Sequence, residues 1–150
     1  MKDWTGNKKS TFTTLGASNH VEHDRAEHDY YATEPRTIDE LLSVEDFIHV
    51  WEPACGEGHM ADRLWQRHIL VRATDIVNRG YEYAEPESVD FLKEDIEWQG
   101  DIITNPPYKY AQEFVEKALA IIPTGRKVAM FLKLTFLEGQ KRKNMFQKYP

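Results

Sequence analysis

Only one cysteine, Cys55, is present, so no intrachain disulfide can form. No apolar run approaches the ~20 residues of a membrane-spanning helix. The polar start, with Lys8 and Lys9 but no apolar block behind them, lacks the form of a signal peptide. These absences lead to the expectation of a cytoplasmic protein with no membrane partner. Basic charge is also scarce. Nineteen Lys and Arg against 25 Asp and Glu leave a formal net charge of −6, which argues against a chain that coats DNA over its whole surface. Zinc-type spacing is missing as well. His20, Glu22, His23, Asp24, His28 and Asp29 crowd together without a cysteine and read as a hydrated acidic segment, so no metal is expected.

What remains fits one domain of 150 residues with a real core. Residues 1–29 are polar with no sustained period and are expected to form a mobile arm; residues 30–150 form the domain. Charge is unevenly spread. Residues 20–46 hold nine acidic side chains against Arg25 and Arg36, whereas Lys133, Lys141, Arg142, Lys143 and Lys148 face Glu138 alone near the end. That basic end suits phosphates or is simply a solvated helix face.

The chain is organised around Asp101-Ile102-Ile103-Thr104-Asn105-Pro106-Pro107-Tyr108, a short buried strand that stops in a stiff polar tip. Asn105 offers a side-chain oxygen and an amide. Pro107 biases Pro106 toward extended backbone, which fixes the direction of the Pro106 carbonyl. Tyr108 adds an aromatic face. Two acceptors and a ring suit a planar amine, whose delocalised lone pair is a poor nucleophile unless both N–H bonds are held. A Pro-Pro turn closing a strand is the plainer alternative.

Upstream, Phe47-Ile48-His49-Val50-Trp51 reads as a strand running into Glu52-Pro53-Ala54-Cys55-Gly56-Glu57-Gly58, followed by helical spacing at Met60, Ala61, Leu64 and Trp65. Strand, glycine-bearing turn and helix is the form of a nucleotide site at the carboxyl edge of a parallel sheet. Gly56 and Gly58 would let backbone approach a ligand. With only two glycines the pattern falls short of a dinucleotide fingerprint, and Glu52 suits a cationic ligand rather than a pyrophosphate. Cys55 reads as a packing residue. Leu70–Ile76 reads as a second strand whose terminal Asp75 can accept ribose hydroxyls while Ile76 packs on a base. Val89–Leu92, residues 101–104 and Val128–Leu132 complete a set of five strands. Val128–Leu132, continuously apolar, is expected to be buried on both faces. Helices are expected after Pro35, with Thr37 and Glu40 at capping-box spacing, over residues 114–122, and over 140–148.

Asn-Pro-Pro-Tyr after an apolar strand resembles the catalytic motif of S-adenosylmethionine-dependent amino-methyltransferases. With Trp51–Gly58 before it, the chain resembles the phage-type and prophage-type DNA adenine-N6 methyltransferases from about Tyr30 onward. The resemblance implies a class I methyltransferase, a Rossmann-like doubly wound α/β sheet with helices on both faces. It implies methyl transfer from S-adenosylmethionine to adenine in DNA, with Asn105, Pro106, Pro107 and Tyr108 holding the target. Glu52, Pro53, Ala54, Gly56, Gly58, Asp75, Ile76, Asp90 and Phe91 would hold the cofactor, together with Asn105. Tyr31, Thr33 and Pro35 match a Tyr-x-Thr-x-Pro stretch that lines the methionine end in that family; as bare residues they are equally a helix lead-in. Asp95 competes with Asp90, and Tyr81 and Tyr83 are candidates for covering the cofactor or touching substrate. Methylation of a protein glutamine or an RNA adenine is the nearest rival, and a non-catalytic cofactor- or DNA-binding module is a second. The resemblance also implies that more sequence would follow Pro150, leaving Val128–Leu132 as an exposed sheet edge open to homo-oligomer pairing.

Overall fold

The computed structural model describes residues 32–150. The expected polar arm, the His20–Asp29 cluster and Tyr31 lie outside the described residues. A four-stranded, fully parallel sheet forms the centre, built from β1 (Val50–Glu52), β2 (Leu70–Ala73), β3 (Ile102–Thr104) and β4 (Val128–Met130) in the order β2-β1-β3-β4. Among the described residues four α-helices accompany it: α1 (Pro35–Val44), α2 (His59–Gln66), α3 (Ala111–Ile121) and α4 (Lys143–Lys148).

Alternation along the strands divides the core. Val50 and Ile103 face one way and pack with Ile38 of α1 and with Met60 and Leu64 of α2. Trp51 and Ile102 face the other way and pack with Phe114, Ala118 and Ile121 of α3. Both faces of the sheet are thus covered by helices, the arrangement that a parallel sheet requires. Asp101, 3% exposed, ties the strands at their amino ends. Its carboxylate accepts from the Ile48 amide at 2.7 Å and the Lys127 amide at 2.8 Å, so one side chain aligns β1, β3 and β4.

Several expected elements are redrawn. Val89–Leu92 is not a strand, so the described sheet has four strands rather than five. Asp90 explains this: its carboxylate accepts from the Leu92 amide and its carbonyl from Lys93 and Glu94, local turn bonds that replace a ladder. β1 begins at Val50, not Phe47, because His49 sits at φ 49°, outside extended backbone. α1 starts at Pro35 with Glu34 as its cap, three residues ahead of the expected cap Thr37. Proline's fixed φ favours the first helical position, so Thr37 lies inside the first turn. β4 is half-buried along its length rather than buried on both faces, because it pairs with β3 alone among the described residues. The basic segment is split into a 3-10 turn, Gln140–Arg142, and the short α4.

No helix among the described residues is long and apolar enough to cross a membrane.

Candidate active site at the switch point of the sheet

From β1 the chain moves outward to β2, then returns past β1 to β3. The carboxyl ends of β1 and β3 therefore diverge into a crevice, the usual ligand position in an open parallel sheet. A cleft of about 620 Å³ opens there, within the size range of small-molecule sites.

The β1 side of the cleft is built from Glu52, Pro53, Ala54 and Cys55. This loop is bonded back to the end of β2. Thr74 N–H donates to the Glu52 carbonyl at 2.9 Å, Cys55 N–H donates to the Thr74 carbonyl at 2.9 Å, and Gly56 N–H donates to Asp75 Oδ2 at 2.7 Å. Asp75 also accepts from the Val77 amide, so it shapes two turns as well as lining the cleft. Carboxylate oxygens have two acceptor sites each, which leaves capacity for ligand hydroxyls. Glu52 is 1% exposed, and its Oε2 has no hydrogen-bond partner. Burial, and then the negative charge of Asp75, push its carboxyl well above the usual range. Burial likewise raises the Cys55 thiol, which packs with Ala61 and Ala73 and is no nucleophile.

The β3 side is built from Asn105, Pro106 and Pro107, with Pro106 fully buried. Asn105 Nδ2 donates to Thr33 Oγ1 at 2.9 Å, which joins two expected site residues 72 positions apart. Asp90, Phe91 and Ile76 complete the wall. Phe91 is held edge-on to Trp51, with ring centroids 5.2 Å apart, and against Phe114 at 4.9 Å.

No protein-family model matches this chain, and no curated protein does.

The cleft therefore gathers Thr33, Glu52, Pro53, Ala54, Asp75, Ile76, Asp90, Phe91, Asn105, Pro106 and Pro107. Three expected residues stand elsewhere. Gly56 and Gly58 do not line the cleft. A Cβ on Gly58 would lie 2.0 Å from the Tyr81 ring, so the lack of a side chain here makes room for a tyrosine. Tyr108 also lies off the cleft lining, with the Lys133 ammonium 4.9 Å over its ring. Tyr81 and Tyr83 do not reach the cleft either; Tyr83 stacks on Trp65 at 4.6 Å. Asp90 lines the cleft and Asp95 does not.

The sequence reading missed His59, Arg79, Lys93, Lys109, Tyr110 and Phe114, all of which line the cleft. Tyr110 is 43% exposed. A usable signal existed: Lys109 and Tyr110 follow the proline tip directly, and the tip continues into a 3-10 turn, Tyr108–Tyr110.

Proposed function

We propose that this chain is a Rossmann-like class I methyltransferase that moves a methyl group from S-adenosylmethionine to the N6 amine of adenine in DNA. One observation carries the proposal. A buried carboxylate with an unpartnered oxygen, Glu52, shares a cleft with the stiff Asn105-Pro106-Pro107 tip.

The residues fit that cofactor. A buried carboxyl oxygen without a partner is costly and ionises readily only when a cation meets it, and the cofactor carries an ammonium and a sulfonium. Asp75 would accept from ribose hydroxyls, Ile76 and Phe91 would pack on its adenine, and Asp90 would accept from the adenine amine. When bound, S-adenosylmethionine supplies an electrophilic methyl carbon whose transfer relieves the positive charge on sulfur.

The chain's own residues do the rest. Anchoring of Asn105 Nδ2 on Thr33 fixes the plane of the amide, so its oxygen accepts an amine hydrogen from a set direction. The Pro106 carbonyl, held by two consecutive prolines, takes the second hydrogen. With both N–H bonds held, the nitrogen lone pair is drawn out of the ring and aimed, and alignment supplies much of the rate. No covalent enzyme intermediate is required. The proton lost by the amine passes to solvent.

Radiolabelled cofactor offered with duplex DNA, RNA and protein fractions tests the proposal, with Asn105→Ala as control. Label on DNA as N6-methyladenine is the expected result. Label confined to RNA or to protein glutamine would transfer the mechanism to that substrate. Tight cofactor binding with no label anywhere would make the chain a binding module.

A further inference from the structure

The face beyond β4 has a composition unlike the rest of this acidic chain. A 3-10 turn, Leu134–Glu138, follows Lys133, and its Leu134 and Leu137 are 77% and 62% exposed. Three residues make one 3-10 turn, so these two leucines eclipse and form one apolar ridge. Phe136 between them is buried with Ala111 and Met145, which turns the ridge outward. Arg142 stiffens it: Nη1 donates to the Phe136 carbonyl at 2.7 Å and to the Thr135 carbonyl at 3.3 Å, with the guanidinium 4.3 Å over the Phe136 ring. Arg142 therefore holds the turn and is spent as a phosphate contact, whereas Lys133, Lys141, Lys143 and Lys148 are exposed around it.

Position matters as much as composition. Phe131 N–H donates to the Thr104 carbonyl, so the chain leaving β4 runs beside the Asn105–Pro107 tip, and Lys133 reaches over Tyr108. We infer that residues 133–148 dock duplex DNA, with the lysines on phosphates and the Leu134–Leu137 ridge as a wedge that enters the base stack beside the cleft. Charge complementarity selects this occupant: four lysines against Glu138, in a chain of net charge −6, rim an exposed apolar ridge. Apolar wedges between base steps are a general means of unstacking a duplex, and a base must leave the stack before its amine can be reached. The inference rests on the methyl-transfer reading only for why a wedge is needed.

Two double variants test it: Lys141→Gln with Lys143→Gln, and Leu134→Ala with Leu137→Ala. The leucines are exposed, so their removal opens no cavity, and an unchanged melting temperature verifies folding. The probe is mixed-sequence duplex DNA carrying 2-aminopurine at scattered adenine positions. The lysine variant should reduce the slope of log K against log salt by about 1.8, at roughly 0.9 per phosphate contact. The leucine variant should keep the slope, lose the 2-aminopurine brightening, and lose at least about tenfold in transfer to duplex while keeping transfer to single-stranded DNA. Failure of the wild type to bind duplex, an unchanged slope in the lysine variant, or unchanged brightening in the leucine variant overturns the inference. So does light scattering that shows a dimer dispersed by the leucine variant with DNA binding intact, which would assign the ridge to a second copy. Binding and brightening need no turnover. A wild type that binds and opens duplex yet methylates nothing would sink the methyl-transfer reading and leave the docking face standing.

Discussion

The loops leaving β1 and β3 flank one cleft, yet they are held by different means. The β1 loop is fixed by backbone amides: Thr74 after β2 donates to Glu52, and Cys55 and Gly56 donate to Thr74 and Asp75 in return. The β3 loop is fixed by the stiffness of Pro106-Pro107, by the side-chain bond from Asn105 to Thr33, and by Tyr110 N–H donating to the Pro107 carbonyl. The first loop carries a buried carboxyl, Glu52, whose ionised form is disfavoured by burial and by Asp75 after β2 until a cation meets it; the second carries neutral acceptors. A wall of fixed amides and charge suits a cationic cofactor held for binding. A stiff neutral tip suits an amine that must be aimed and then released. The difference predicts that binding and chemistry separate by mutation.

The largest expected effect lies on the β3 side. Asn105→Ala should reduce methyl transfer by about 10²–10³-fold, the cost of one preorganised acceptor at the reacting centre. Its effect on cofactor affinity should stay near 1 kcal/mol, the worth of one neutral hydrogen bond to Thr33. Single-turnover rates and calorimetry measure the two. Next comes Gly58→Ala on the β1 side. Gly58 sits at φ 87° with the Tyr81 ring against it, so both left-handed backbone and a clash oppose a side chain. Urea unfolding should show a loss of about 2–4 kcal/mol, partly recovered by adding Tyr81→Ala. Asp75→Ala is smaller, weakening cofactor binding by ~1.5–3 kcal/mol. If Asn105→Ala loses as much affinity as Asp75→Ala, the two loops do not divide the work.

Much of this site was legible in the chain because local rules reach it. Glu52, Asp75 and Asn105 each stand at or just past the end of a short strand, and parallel strands bring such ends to one edge. The failures arose where contacts between distant segments decide. Nothing local to Gly58 announces that Tyr81, far along the chain, fills the space a side chain would need. Tyr108 was expected at the target because the motif ends there, whereas Tyr110, two residues on and not considered, lines the cleft. Asp90 was placed correctly at the wall, but its turn-forming bonds removed the strand expected around it.

The smallest effect is the movement of a single proton at Glu52. Burial, then repulsion from Asp75, raise its folded-state pKa well above the ordinary 4.5. Below pH 4.5 the carboxyl is protonated in folded and unfolded chains alike, and the stability it permits is fully present. Above that value the unfolded chain releases the proton while the folded chain keeps it. The folded state then binds more protons, so stability falls as pH rises, up to the folded pKa, and levels off beyond it. The slope from one such group is at most about 1.4 kcal/mol per pH unit. Urea unfolding at stepped pH should show this fall in the wild type and not in Glu52→Gln, the difference isolating Glu52 from other carboxylates. A cationic ligand reverses the balance by favouring the ionised form, so binding should expel up to about one proton. Calorimetry in two buffers of unlike ionisation enthalpy counts it. A count of zero in the wild type, equal to that of Glu52→Gln, would mean that the ligand's charge does not meet this carboxylate, and the β1 loop would lose its claim to be the charged half of the site.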